Sequence, residues 1–293
     1  MIEGIHNIGV RGPDFAALFS RTHPGLVSYR LGPTLDNSRE LLRAIPKPNF
    51  WHAPTANERG WDMPHRDGQW LLASRYAIAP DPPTLAVLPD SAEITYQYLL
   101  PTTPPSACEV AYRVHAMGLV EVTMTVTPAE TLPDMPECGM IFICDADLRH
   151  LEWYGEGPEE CYADRRRGAR LGLHRAEVAQ QLTPYLRPQE SGNHTQVRWA
   201  SVTDDSGQGL RFAAPTPMEF SALPWTPFEI ENAAHAHELP PIHHTVIRPA
   251  LARRGVGGDN SWGAKTHPEF CLPTSPLTFR FSFQGVREAG PMG

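Results

Sequence analysis

Thirty-one prolines are scattered along the whole of this 293-residue chain, about twice the ~5% typical of proteins. A proline inside a helix removes a hydrogen bond and clashes with the preceding turn, whereas turns and strand ends accept it. They are spread from end to end and not gathered in one tail, so the chain has little room for long helices. What remains are many short strands joined by proline-bearing turns.

The apolar spacing agrees. In LVEVTMTVTP (119–128), Val120, Val122, Met124 and Val126 fall on one face, and Glu121, Thr123, Thr125 and Thr127 on the other. In LTFRFSFQ (277–284), Leu277, Phe279, Phe281 and Phe283 alternate with Thr278, Arg280, Ser282 and Gln284. A period of two marks a strand with one buried and one wet face. Weaker strand patterns occupy 93–100, 139–144, 196–202 and 210–213. Helical spacing is confined to Asn37–Ile45 and Arg175–Leu182, each a turn or two. No βαβ alternation appears, which argues against a parallel sheet or a TIM barrel. The expected fold class is all-β, two large antiparallel sheets packed face to face. The segment PTTPPSA (101–107) reads as a linker or a long hairpin connection, so residues 1–285 form one domain and 286–293 a loose tail.

Charge and cysteine content exclude several classes. The net charge is -8, which argues against a nucleic-acid partner. The basic run Arg165–Arg167 with Arg170 reads as a solvated or ion-paired loop. Five cysteines without a CxxC pair suit a reduced, cytoplasmic protein better than a disulfide framework. The N-terminus lacks a signal-peptide pattern, and no apolar run would cross a bilayer.

Motifs that carry chemistry are few. A nucleophile elbow, a P-loop, a dinucleotide fingerprint and HExxH are missing from the sequence. The run AHAHELPPIHH holds His235, His237, His243 and His244. On a strand His235 and His237 would share a side as metal ligands do. Glu238, Pro240 and Pro241 favour instead a strand end and a turn with exposed histidines. Glycosidases need two carboxyl groups about 5–9.5 Å apart. The acidic neighbours Glu159–Glu160, Asp204–Asp205 and Asp145 with Asp147 do not define such a pair, and TDDSGQG reads as a hairpin turn.

Aromatic loops are more telling. FWHAPTANERGWD (50–62) is a polar loop bracketed by Trp51 and Trp61. In GVGGDNSWG (255–263), three glycines allow close approach or unusual backbone angles, and Asp259 and Asn260 can fold back as Asx turns. Such a loop presents Trp262 outward, with an indole face available to stack on a pyranose.

These loops resemble one family. PNFWHAPTANERG is similar to PxFWRAPTDNDRG of the β-galactosidases of glycoside hydrolase family two. LEWYGEGPEECYADRRRGARLG resembles their WYGRGPxExYPDRKxGAxxG, and PYLRPQESGNHTQVRW their PYxxPQENGNxxxVRW. FSALPWTPFEIENAAHAHEL and GVGGDNSWGAKTHPEF resemble FSxxxYTxxxLExAxHxxEL and GxGGDDSWGxxVHxEY. The five segments follow the family order from about 15 to 283. They resemble only the C-terminal sandwich domain, or the separate small subunit of two-subunit enzymes. The resemblance implies a galactose-mutarotase-like supersandwich, and it supplies no catalytic residue or metal ligand in this chain. The catalytic glutamates, and any Mg or Na, would lie in a large-subunit partner. Trp262 matches a tryptophan that stacks on substrate, with Asp259 and Asn260 beside it, and Gly60 matches the start of a loop near that galactoside pocket. The chain departs where TDND becomes Thr55-Ala56-Asn57-Glu58, where GGDDSW carries Asn260, and where Cys161 precedes Tyr162. A stand-alone sugar-binding module is the alternative. An aldose epimerase would need His235 or His237 to converge with Glu190 or Glu238.

Overall fold

The computed structural model describes residues 1–260 and 262–287. Its first five strands, β1 (Ile2–Glu3), β2 (Asn7–Arg11), β3 (Phe15–Ser20), β4 (Gly25–Leu31) and β5 (Arg39–Glu40), form an antiparallel sheet in chain order. After β6 (Lys47–Asn49) come three short helices, α1 (Ala56–Gly60), α2 (Met63–Arg66) and α3 (Gly68–Tyr76). The rest is mostly strand: β7 (Thr84–Val87), β8 (Ser91–Leu100), β9 (Ser106–His115), β10 (Val120–Thr127), β11 (Glu137–Cys144), β12 (His150–Gly157) and β13 (Arg170–Glu177). Then follow β14 (His194–Thr203), β15 (Gln208–Leu223), α4 (Pro227–Asn232), β16 (Thr245–Arg253) and β17 (Leu277–Arg287).

The second sheet has twelve strands. Nine run in the order β13-β12-β14-β15-β17-β10-β9-β8-β7, while β16 pairs with β15 and with β11, and β11 also with β6. Every pairing is antiparallel. The long strand β15 joins the two parts. Gln208–Ala213 pairs with β17 and Glu219–Leu223 with β16. The switch falls across Pro215 and Pro217, which cannot donate to a ladder.

Both strongly alternating segments are strands as expected. Val120, Val122, Met124 and Val126 are buried in β10, and Phe279, Phe281 and Phe283 in β17. The smaller sheet packs on this face through Phe19 against Tyr112, with ring centroids 5.4 Å apart, and Tyr29 against Phe283 at 5.5 Å. One apolar core spans both sheets. The 101–107 segment is the connection of the β8–β9 hairpin. In the 203–208 turn, Asp204 Oδ1 accepts from Ser206 N and Gln208 N.

Three local expectations change. Asn37–Ile45 is not a helix but holds β5, whose Glu40 carboxylate accepts from Tyr29 N and Leu42 N. Arg175–Leu182 is likewise not α-helix: β13 extends to Glu177 and a single 3-10 turn follows. β13 lies at the sheet edge, where both faces are half wet and alternation is weak. The segment 50–62, read as a polar loop, contains α1, while Trp51 and Trp61 are both buried, as is expected of most tryptophans. At the C-terminus Val286 and Arg287 complete β17, and the rest of the expected tail lies outside the described residues. No helix among the described residues is long and apolar enough to cross a membrane.

Candidate functional site

Downstream of β16 the chain enters a loop whose base is tied to three other segments. Arg254, 2% exposed, donates to Asp67 Oδ2 at 2.7 Å, Asp134 Oδ2 at 3.2 Å and Glu58 Oε1 at 3.2 Å. Thr266 Oγ1 donates to Gly255 O at 2.8 Å, closing the loop stem. From the 162–170 turn, the Asp164 carboxylate accepts from Val256 N at 3.1 Å and Gly257 N at 2.6 Å. This clamp explains two of the three leading glycines. A Cβ at Gly255 would stand 2.6 Å from Asp164 Cγ, and one at Gly257 3.0 Å from Asp164 Oδ2. Close approach, not backbone twist, is what those positions require.

The tip follows the Asx pattern. Asn260 Oδ1 accepts from Trp262 N at 3.1 Å and Ala264 N at 3.2 Å. Gly263 has φ of 146°, a region that L side chains avoid. Asp259 does not fold onto the backbone in the same way. Its Oδ1 lies 2.9 Å from His267 Nε2, and that contact raises the His267 pKa. Trp262 is 81% exposed.

Helix α1 buttresses this tip. It begins with a capping box, in which Thr55 Oγ1 accepts from Glu58 N and the Glu58 carboxylate accepts from Thr55 N. Asn57 Nδ2 donates to Ala264 O at 3.3 Å. The carbonyl of Gly60, last residue of α1, lies 3.9 Å from where a Gly263 Cβ would stand. Trp262, Asp259, Asn260 and Gly60 therefore occupy one place. The indole of Trp61 is met by two cations, the Arg254 guanidinium 4.9 Å from the ring centre and the Lys265 ammonium 5.5 Å away. A cleft of about 460 Å³ opens beside it, lined by Trp61, Asp67, Asp134, Arg254, Lys265 and Cys271 among others.

Beneath the loop lies a buried ionic layer. Arg248 binds Glu190 at 2.8 Å and Glu137 at 3.0 Å, and Arg253 Nε binds Glu137 at 2.7 Å. Arg253 also donates to Asn193 and Ser221, and Asn49 to Glu137. Burial opposes the charge on Glu137, but the two guanidinium groups outweigh it and hold the carboxyl below its usual range. Next to this layer Glu58 contacts His52 at 2.9 Å, and its pKa falls to about 2 because His52 and Arg254 overcome the burial effect. Glu219 goes the other way. Its burial dominates over Arg253 and Asn193, and the carboxyl rises to about 7.

These acids are sealed and committed to partners, which suits support rather than proton transfer. The geometry offers no epimerase pair from the residues named for one. Glu190 is held by Arg248, while His235, His237 and Glu238 cluster on the exposed surface, with His235 Nδ1 3.2 Å from Glu238 Oε1. The remaining histidines of that run, His243 and His244, sit apart from that pair, around Glu229. The Asp164 clamp and the Arg254 anchor had no sequence signal of their own. The helix cap did, as the Thr55…Glu58 spacing.

The chain matches the family model described as "Beta galactosidase small chain" over residues 11–284. It is 39% identical over 265 residues to a β-galactosidase of Priestia megaterium, covering 90% of this chain and 25% of that protein. It is 33% identical over 294 residues to a β-galactosidase small subunit of Latilactobacillus sakei, covering 90% of each. The chain thus spans only 25–28% of the length of the first two relatives and nearly all of the small subunit. Among solved structures, an aldose epimerase homologue from C. elegans superposes with TM-score 0.53 at 10% identity, covering 96% of this chain and 98% of that one. Galactose 1-epimerase from Lactobacillus acidophilus gives 0.51 at 10% identity, covering 96% and 94%. At such identity the likeness concerns the fold, which is galactose-mutarotase-like as expected. By the match along its whole sandwich, the chain belongs to the β-galactosidase small chain family.

Proposed function

We propose that this chain completes the active site of a β-galactosidase of glycoside hydrolase family two, as a small subunit or C-terminal domain working in the cytoplasm. The reaction is hydrolysis of terminal non-reducing β-D-galactosides of the lactose type, with retention. In this reading a large chain supplies both catalytic glutamates and holds any Mg²⁺ or Na⁺ the reaction uses. The small chain supplies Trp262 as a stacking platform, with Asp259, Asn260 and Gly60 shaping its loop, and its bulk excludes water from the pocket.

The observation that carries this reading is Trp262. Its indole is 81% exposed, on a loop whose backbone is tied down through Asn260, Asn57 and Asp164. A monomer gains nothing from fixing a bare aromatic in water, whereas a sugar pocket gains a preset surface. The test is reconstitution. The purified chain alone releases no chromophore from a chromogenic β-galactoside, and mixing it with the large subunit of a related two-subunit enzyme restores release. Hydrolysis by the chain alone, or no gain on mixing, would end the proposal.

A further inference from the structure

Helix α4 carries a second feature that the sugar pocket does not use. Glu229 is the third residue of the helix. Its Oε2 accepts from Thr226 N at 2.7 Å and from Thr226 Oγ1 at 2.8 Å, so a capping box fixes the carboxylate in place. His244 Nε2 lies 3.1 Å from that same oxygen, and His243 Nε2 lies 3.6 Å from the other. The three donor atoms all fall within 4.8 Å of one another.

The tautomer of His243 sharpens the point. Its Nδ1 lies 3.0 Å from Pro241 O. A carbonyl only accepts, so Nδ1 carries the proton. In the neutral ring Nε2 then turns a lone pair toward a carboxylate oxygen, and either a second proton on Nε2 or a bound cation relieves that contact. Ligating histidines are oriented in this way, with the far ring nitrogen donating to a backbone carbonyl. The nearby Arg43, which donates to His243 O at 2.7 Å, is itself faced by Asp145 at 3.3 Å.

The distances suit one class of ion. Zinc binds imidazole nitrogen at about 2.0–2.1 Å and carboxylate oxygen at about 2.0–2.2 Å, in tetrahedral geometry. The edge of such a tetrahedron is about 3.3–3.5 Å, and each carboxylate oxygen of Glu229 faces one imidazole near that spacing, Oε2 with His244 Nε2 at 3.1 Å and Oε1 with His243 Nε2 at 3.6 Å. Two imidazoles and one carboxylate also match zinc's donor preference, leaving a fourth position for water.

We propose that Glu229, His243 and His244 form a zinc site that pins α4 to the start of β16. The exposed trio His235, His237 and Glu238 is the weaker candidate, since nothing comparable sets its ring orientations. The site does not depend on the large chain. It would nonetheless stiffen the same region, because Trp51 Nε1 donates to Glu231 at 2.8 Å and Arg59 Nη2 to Glu231 O at 3.3 Å. Those contacts link α4 to α1.

The test uses the full chain, without a histidine tag and stripped with EDTA. Calorimetric titration with zinc chloride at pH 8 gives saturable binding with one ion assigned to this site, and Co²⁺ in its place gives the visible absorption of a tetrahedral complex. His243→Ala, an exposed change, weakens zinc binding by more than the ~10–100-fold that loss of an outer-shell partner causes. Glu229→Gln, which keeps an oxygen for the Thr226 cap, weakens it similarly. His235→Ala with His237→Ala leaves this site's affinity unchanged. Absence of saturable binding in the native chain, or His243→Ala binding zinc as tightly as the native chain, overturns the site. So does a loss of binding that follows His235 and His237 instead.

Discussion

The Trp262 loop and the ionic layer adjoin in the chain, since Arg253 ends the strand that leads into the loop, but they obey opposite physics. In the layer, Arg248, Arg253, Glu137 and Glu190 are all buried, and each charge is stable only because another faces it. In the loop, the indole is exposed and its position is set by backbone amides donating to Asp164 and Asn260. Buried charges separated from water cost several kcal/mol each unless paired. Loop hydrogen bonds at a wet surface are worth about 1 kcal/mol apiece. The layer should therefore govern whether the domain folds, and the loop should govern what the folded domain can hold.

The sharpest way to break that division is to remove one partner from the layer. Glu137→Ala takes from Arg253 the carboxylate that faces its Nε and leaves Arg248 with Glu190 alone. Loss of one member of a buried pair typically costs about 3–5 kcal/mol, and the same loss is expected here in urea unfolding of the isolated chain. A cost below about 1 kcal/mol, the range of exposed pairs, would mean that water reaches the layer.

Glu219 tests the layer with pH. Its carboxyl is raised from 4.5 to about 7 by burial. The folded state therefore holds this proton more tightly than the unfolded chain does. The associated stability is complete below about pH 4.5 and is lost as pH climbs to about 7, amounting to at most about 3 kcal/mol. Unfolding measured from pH 5 to 8 should show that decline, and Glu219→Gln should remove this part of the slope. If the Glu219→Gln variant keeps the pH slope of the native chain, the decline belongs to other groups.

Asp164 lies between the two regimes. Asp164→Ala removes two charge-assisted bonds from Val256 N and Gly257 N. A bond to a charged group contributes about 1.5–3 kcal/mol, and partial exposure brings the expected total to about 2 kcal/mol. Hydrogen exchange should speed up at those two amides while the layer stays protected. Gly255→Ala should act in the same direction, because its Cβ would displace the carboxylate.

The division also explains what could be read from sequence. β10 and β17 were legible because each has one wet face, and alternation records that directly. β13, at the sheet edge with both faces half exposed, left no clean pattern and looked helical at Arg175. The outward Trp262 and the Asn260 turn were legible because their interactions are local, within four residues. Glu137 with Arg253, and Asp164 with Gly257, lie 116 and 93 residues apart. Pairings at such distance leave no spacing rule, so nothing in the sequence marked Glu137, Arg253 or Asp164 as partners. The helices α1–α3 were obscured by prolines and tryptophans on either side, although the Thr55…Glu58 cap was present throughout.

Trp262→Ala is the smallest perturbation of the fold and the most direct probe of the loop. The side chain is exposed, so its removal should change the unfolding free energy by no more than about 0.5 kcal/mol. Its effect should appear only with the large chain present, as a rise in KM equivalent to about 1–3 kcal/mol of lost stacking. Asn260→Ala should produce a milder version by freeing Trp262 N and Ala264 N while leaving the indole in place. If both variants raise KM in that order and neither lowers stability, the indole acts by being held still. Equal effects from the two would mean that the turn, not the ring, makes the contact. A stability loss as large as that of Glu137→Ala would erase the distinction between loop and layer.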